Sequence, residues 1–131
     1  MADTKDFLRK VNLEYFASGK HRLTLDQFKE LYFKGEVVLI DVRTKDENAV
    51  ASFSFARNIP LEDLPDKLND IPKDKTLALF CSGKVRSVMA YVFLQAQGFI
   101  QSKILDANIE ELAGLVKPGF VENLKKKGKL S

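Results

Sequence analysis

Two short runs of almost uninterrupted apolar residues constrain the fold most strongly. The first is Val37-Val38-Leu39-Ile40 and the second is Thr76-Leu77-Ala78-Leu79-Phe80. A strand with one face in water alternates apolar and polar residues, whereas a run without alternation is typical of a parallel strand covered on both faces. The segments around these runs show helical spacing, so the sequence predicts an α/β domain.

Length and composition narrow the class of protein further. A chain of 131 residues fits one domain, and 45% hydrophobic with 30% charged residues excludes collagen-like and mostly disordered chains. The single cysteine, Cys81, excludes an intrachain disulfide, and with one histidine, His21, no Cys-rich or His-rich metal centre can be built. We therefore predict no metal and no cofactor.

Capping residues and apolar spacing predict the other elements. Thr24 with Gln27, and Asn108 with Glu111, are capping-box signatures that begin helices. Helices are predicted at 5–17, 25–34, 44–51, 62–69, 86–97, from 108 to a stop at 118–119, and at 120–127, and further strands at 56–59 and 104–105. In the helix at 86–97, Met89, Val92, Phe93 and Ala96 form the predicted apolar stripe.

The net charge of +3 belongs to the C-terminal segment. From Lys117 onward there are five lysines and one glutamate, so this segment carries +4 and the preceding 116 residues carry −1. A solvated helix end explains these lysines better than a nucleic-acid contact, because nucleic-acid binders usually spread basic residues through the domain. No apolar run approaches the ~20 residues of a membrane span, and no targeting signal is found at the start. We expect a cytoplasmic protein that binds neither nucleic acid nor membrane.

One segment predicts a reactive site. Its sequence is Phe80-Cys81-Ser82-Gly83-Lys84-Val85-Arg86-Ser87. A buried strand ends at Phe80 and a helix begins near Arg86, with the only cysteine opening the loop between them. Ligands of open parallel sheets collect at the carboxyl ends of strands, and a tight turn into a helix N-terminus presents several backbone N–H groups to an anion. Such a loop stabilises a thiolate, and Lys84 and Arg86 add positive charge. A lone cysteine after a strand is often only a small buried apolar residue, but this order of parts favours a nucleophile.

Three motifs in this order resemble a known family. They are Leu39-Ile40-Asp41-Val42-Arg43, Asn58-Ile59-Pro60-Leu61 and Cys81-x4-Arg86-Ser87, and the segment from Leu23 to Gly119 is similar to a single-domain rhodanese, a sulfurtransferase. The resemblance implies an α/β fold with a rhodanese-like open parallel five-stranded sheet flanked by helices on both faces. It implies that Cys81 forms a persulfide with sulfur from a donor such as thiosulfate, and passes that sulfur to a thiol, cyanide or an acceptor protein. The family's Gly-Gly pair near the last strand is replaced here around Asp106-Ala107-Asn108.

The resemblance also divides the chain and assigns roles to residues. We expect an N-terminal helical extension at 1–20, a rhodanese-like domain at 21–119 and a short basic C-terminal helix at 120–131. Cys81 is the expected nucleophile, and the residues expected to bind substrate are Ser82, Gly83, Lys84, Val85, Arg86 and Ser87. Asp41, Arg43 and Glu47 are expected to support the structure, with Asp41 capping backbone amides and Arg43 pairing with Glu47. Lys84 and Arg86 favour an anionic sulfur donor.

The same residues also fit other functions. The chain can be a persulfide carrier or a protein-binding module without turnover, and its N-terminal helix can pack on the domain or form a homodimer contact. A phosphatase is disfavoured, because tyrosine phosphatases place five residues between cysteine and arginine, and here there are four.

Overall fold

Five strands and seven helices make up the computed structural model, which describes residues 3–129. The strands are β1 (Arg22–Thr24), β2 (Val37–Asp41), β3 (Ala56–Asn58), β4 (Thr76–Phe80) and β5 (Ser102–Asp106). The helices are α1 (Thr4–Leu8), α2 (Leu13–Ser18), α3 (Leu25–Phe33), α4 (Lys45–Val50), α5 (Val85–Ala96), α6 (Ile109–Ala113) and α7 (Pro118–Lys126). Two 3-10 segments, Leu61–Asp66 and Leu68–Asp70, lie between β3 and β4.

All five strands are parallel and form one open sheet in the order β1-β5-β4-β2-β3. The two apolar runs of the sequence are β2 and β4, which lie side by side inside the sheet. Ile40, Leu79 and Phe80 are fully buried because helices cover both faces. The predicted α/β fold with a five-stranded parallel sheet and helices on both faces is confirmed.

Each face of the sheet has its own apolar cluster. On one face, Ile40, Leu79 and Cys81 pack with Leu94 of α5 and Phe7 of α1. On the other face, the apolar side chains of the sheet pack against α3, α6 and α7, with these buried members: Phe28, Leu39, Phe80, Leu105, Leu112, Phe120 and Leu124. Segments on either side of residues 21–119 therefore contribute core residues, Phe7 before them and Leu124 after them.

Side-chain caps begin the helices where the sequence predicts them. Thr24 with Gln27 and Asn108 with Glu111 both form complete capping boxes, and Thr44 forms a third with Glu47. Gly35, with φ +73°, follows α3 in the left-handed conformation that glycine adopts without strain.

The predicted single helix at 5–17 is wrong, because α1 and α2 are separate. The first helix ends at Leu8, and Asn12 begins α2 with its own side-chain cap on the Tyr15 amide. Tyr15 bonds the hydroxyl of Tyr91 on α5, and Phe7 meets Tyr91 edge to face at 5.8 Å. Both helices therefore contact α5 through Tyr91.

Three further predictions need correction. No strand was predicted at β1, whose three residues include only one apolar side chain, Leu23. Residues 62–69 form 3-10 segments instead of an α-helix, because Pro65 has no N–H to donate. Pro118 begins α7 instead of closing the preceding helix, since proline is favoured in the first turn.

The buried face of α5 matches the predicted stripe in part, because Ala96 is buried and Val92 and Phe93 pack partly buried against the core. Ser87, Ala90, Tyr91 and Leu94 face the sheet at helical spacing, together with Ala96, whereas Met89 is 56% exposed. Within residues 3–129, no helix is long and apolar enough to cross a membrane.

Candidate active site

The candidate site lies at the carboxyl end of β4, the middle strand of the sheet. Phe80 ends β4, Cys81 follows it, and α5 begins at Val85, so only four residues connect strand and helix. Cys81 is 2% exposed, while Ser82, Gly83, Lys84 and Val85 are exposed around it. The thiol therefore lies at the floor of an exposed loop.

The sulfur of Cys81 is held by its own loop and by the first turn of α5. Its Sγ donates to the carbonyl of Gly83 at 3.0 Å, and it accepts from the amide of Ser87 at 3.3 Å. The Ser87 hydroxyl lies 3.5 Å from Sγ and donates to the carbonyl of Lys84 at 3.0 Å. Ser87 thus places one amide on the sulfur and braces the loop with its hydroxyl.

The backbone N–H groups of the loop carry no hydrogen bond of their own. Within the described chain, the amides of residues 82–86 donate to no protein acceptor, whereas the amide of Ser87 is directed at Cys81. The first N–H groups of a helix have no partner inside it, and they carry the positive end of the helix dipole. The Ser87 amide therefore donates to Sγ, and the amides of residues 82–86 stay available to an anionic ligand.

Arg86 is fixed by Glu47, a contact that crosses from α5 to α4. Its guanidinium donates to both carboxylate oxygens of Glu47, at 2.5 and 3.0 Å, and to the hydroxyl of Ser82 at 3.1 Å. The hydrogen bond from Arg86 lowers the pKa of Glu47 to about 2, and the same bond raises the pKa of Arg86. This geometry corrects the predicted pairing of Glu47 with Arg43.

Arg43 pairs with Asp41 instead, behind the loop and out of solvent. Asp41 is fully buried and Arg43 is 2% exposed, and the guanidinium binds both carboxylate oxygens at 2.7 to 3.0 Å. Asp41 also accepts from the amide of Arg43 at 3.0 Å, as predicted for a capping aspartate. The guanidinium reaches the carbonyl of Ala51 and lies over the ring of Phe80. These contacts join β2, β4 and the end of α4.

Lys84 pairs with Asp106, a residue to which the sequence analysis gave no role in the site. The ammonium lies 3.3 Å from the carboxylate, and Arg22 at the start of β1 binds the same group. The hydrogen bond from Lys84 is the main cause that lowers the pKa of Asp106, and Arg22 adds to it. The only sequence signal was the unusual acid at the place of the family's glycine pair.

Every cation of the loop therefore has a carboxylate partner. Lys84 and Arg86 are expected to add positive charge that favours an anionic donor, and in the structure each forms an ion pair with an acid from another element. What remains unpaired for a donor is the set of loop amides. In residues 3–129, no three metal-ligating side chains converge on one place.

An open parallel sheet with a buried cysteine directly after its central strand, in a loop whose amides have no hydrogen-bond partner, defines an α/β protein with a candidate site at the carboxyl end of the sheet. Comparison with known proteins specifies the class. The model of the Rhodanese-like domain family matches residues 24–114, so this chain belongs to the rhodanese-like domain family.

The chain is distantly similar to sulfurtransferases and to other proteins with this domain. It is 35% identical over 95 residues to the uncharacterized protein YqhL of Bacillus subtilis, which covers 72% of this chain and 74% of that protein. It is 33% identical over 64 residues to a sulfurtransferase of Allochromatium vinosum, over 49% of this chain and 60% of that protein. A rhodanese-like domain protein of Staphylococcus aureus matches with 30% identity and a TM-score of 0.61, over 69% of this chain and 88% of the other.

Proposed function

We propose that this chain is a sulfurtransferase that uses Cys81 as its nucleophile. It takes a sulfane sulfur from an anionic donor such as thiosulfate and passes it to a thiophilic acceptor. The observation that carries the proposal is the buried Cys81 Sγ, which accepts from the Ser87 amide in a loop whose five amides at 82–86 have no partner in the described chain. A site of this kind stabilises a negatively charged sulfur attached to the cysteine.

The first step is an attack by the Cys81 thiolate on the outer sulfur of thiosulfate. The thiol proton leaves to solvent, a new S–S bond forms on Cys81, and the S–S bond of the donor breaks. Sulfite departs with the electron pair of that bond, and Cys81 keeps an outer sulfur with one negative charge. The amides of residues 82–86, which have no acceptor in the described chain, are the groups that we propose bind this added sulfur.

The second step returns the cysteine to its starting state. An acceptor such as cyanide attacks the outer sulfur, the S–S bond on Cys81 breaks, and its electron pair stays on the cysteine. Thiocyanate leaves when cyanide is the acceptor, and a persulfide leaves when a thiolate is the acceptor. The chain has no second cysteine, so no internal disulfide competes with this transfer.

Exposed apolar side chains beside the loop support a protein as one kind of acceptor. Val85 is 73% exposed, and Val88 and Met89 are also exposed on the first two turns of α5. Apolar residues exposed together next to a reactive group are typical of a contact surface. We include an acceptor protein with a thiol among the proposed partners for this reason.

Steady-state transfer from thiosulfate to cyanide tests the proposal. We expect the wild type to form thiocyanate and Cys81→Ser to form none, with both proteins giving the same far-ultraviolet circular dichroism. Absence of transfer from thiosulfate and from other sulfane donors contradicts the proposal. Loading of Cys81 without turnover identifies a carrier instead, and Cys81-dependent hydrolysis of an aryl phosphate identifies a phosphatase.

A further inference from the structure

Asp106 lies beside Cys81, on the neighbouring strand of the sheet. Strands β4 and β5 are parallel and pair Leu79 with Ile104. Continuing this register two residues past its last pair sets Asp106 opposite Cys81, the residue that follows β4. Asp106 is the last residue of β5, so its carboxylate lies at the carboxyl end of the strands, where the candidate loop begins.

The side chain of Asp106 is on the same face of the sheet as the cysteine sulfur. Successive side chains of a strand point to opposite faces. Leu105 belongs to the cluster with Phe80 on one face, whereas Ile104 packs on the cluster that contains Leu79 and Cys81 on the other. Asp106 lies two residues after Ile104 on the same strand, so its side chain points to the same face of the sheet, which is the face of Cys81.

Two cations hold the Asp106 carboxylate at this place. Lys84 reaches it from the loop at 3.3 Å, and Arg22 reaches it from β1 on the outer side of β5. The carboxylate is 36% exposed and Lys84 is 50% exposed, so solvent and a bound donor can reach both groups. The pair fixes Lys84 to the sheet, and the Asp106 carboxylate offsets one of the two positive charges beside it.

We propose that Asp106 is a specificity-determining residue that lowers the preference of the site for doubly charged sulfur donors. It does so in two ways: it holds Lys84 in an ion pair, and its own charge repels the donor. This inference rests on the proposed function, and it concerns which donors the Cys81 loop accepts.

Two donors that differ in charge make the proposal measurable. Thiosulfate carries two negative charges, and the methanethiosulfonate anion carries one because a methyl group replaces one oxygen. With the first, the thiolate takes the outer sulfur and sulfite leaves. With the second, the same S–S bond forms on Cys81, the donor's S–S bond breaks, and methanesulfinate leaves with its electron pair.

The experiment compares kcat/KM for the two donors in the wild type and in Asp106→Asn. One unit charge at Asp106, roughly 8 Å from the donor and screened mostly as in water, changes the affinity for the additional charge of thiosulfate about two- to fivefold. We expect Asp106→Asn to raise the ratio of thiosulfate to methanethiosulfonate by about that factor through KM, and Lys84→Gln to lower it. The shift should shrink between low and high salt, which a purely structural role does not predict.

Asp74→Asn is the matched control. Asp74 is exposed and precedes β4, at the opposite end of the sheet from the loop, so its replacement should leave the donor ratio unchanged. The ratio is measured within one protein sample, so partial unfolding of a variant does not alter it.

An unchanged ratio in Asp106→Asn overturns this inference while the proposed function stands. A ratio that shifts equally at all salt concentrations also overturns it, because the effect is then not electrostatic. If the wild type transfers sulfur from neither donor, the proposed function itself fails, and that result is distinct from both others.

Discussion

The ion pairs around Cys81 differ mainly in their exposure to water. Asp41 and Arg43 are buried together, whereas Glu47 and Arg86 are about a third exposed. A buried charge that loses its partner is costly, while an exposed pair contributes little to stability. We therefore assign Asp41 and Arg43 to the stability of the fold, and Glu47 to the position of Arg86.

Replacing Asp41 tests the first assignment. Asp41→Asn leaves the Arg43 guanidinium buried without a counter-charge, so we expect the free energy of unfolding to fall by about 3–5 kcal/mol. Urea unfolding followed by circular dichroism measures the change. Asp63→Asn is the control, because Asp63 pairs with Lys45 at 3.9 Å in an exposed position. A loss no larger than that of the control contradicts the structural role of Asp41.

Glu47 gives a prediction in pH. Its folded pKa of about 2 lies below its ordinary value of 4.5, mainly through the hydrogen bond from Arg86. A depressed carboxyl pKa stabilises the fold fully above the ordinary value, and this contribution is lost as pH falls towards the folded value. The wild type should be more stable than Glu47→Gln above pH 4.5, and the difference should vanish between pH 4.5 and 2.

Unfolding midpoints of both proteins across this pH range measure the difference. Glu14→Gln serves as the control, because Glu14 forms no ion pair within residues 3–129. A wild-type advantage over Glu47→Gln that stays constant from pH 6 to pH 2 is incompatible with the ion pair to Arg86.

At the scale of elements, α1 is part of the core although it precedes the family match. Phe7 is 7% exposed and contacts Tyr91 of α5, whereas Phe16 of α2 is 53% exposed. The family match begins at residue 24, so Phe7 lies in the segment that precedes the matched domain and packs onto that domain.

Replacing each of these two phenylalanines by alanine tests whether the buried ring stabilises the fold more than the exposed ring does. We expect Phe7→Ala to lower the free energy of unfolding by about 3 kcal/mol, and Phe16→Ala to lower it much less. Chemical denaturation of both variants measures the two changes. Equal effects of the two substitutions are evidence against docking of α1 on α5.

At the scale of the whole molecule, the sequence predicted the parts whose signal is local. Strands β2 and β4 are recognisable because both faces of each are apolar, and α3 and α6 because their capping boxes lie within four residues. The site loop was found in the same way, since Cys81 directly follows a buried strand.

What the sequence did not reveal depends on contacts between distant segments. β1 has a single buried apolar residue, Leu23, and is a strand because it pairs with β5. The partners of Arg86 and Lys84 lie 39 and 22 positions away, and only the sheet and α4 bring them together. Ion pairs of this kind have no fixed spacing along a chain, so the predicted pair of Arg43 with Glu47 was wrong.

The central claim is that Cys81 accepts one sulfur atom from a sulfane donor, and intact-mass measurement tests it most directly. After incubation with thiosulfate and removal of excess donor, the wild type should gain the mass of one sulfur atom, and cyanide should remove it. Cys81→Ser should gain nothing under the same conditions. A wild type that gains no mass with any sulfane donor, or a gain that persists in Cys81→Ser, contradicts the account.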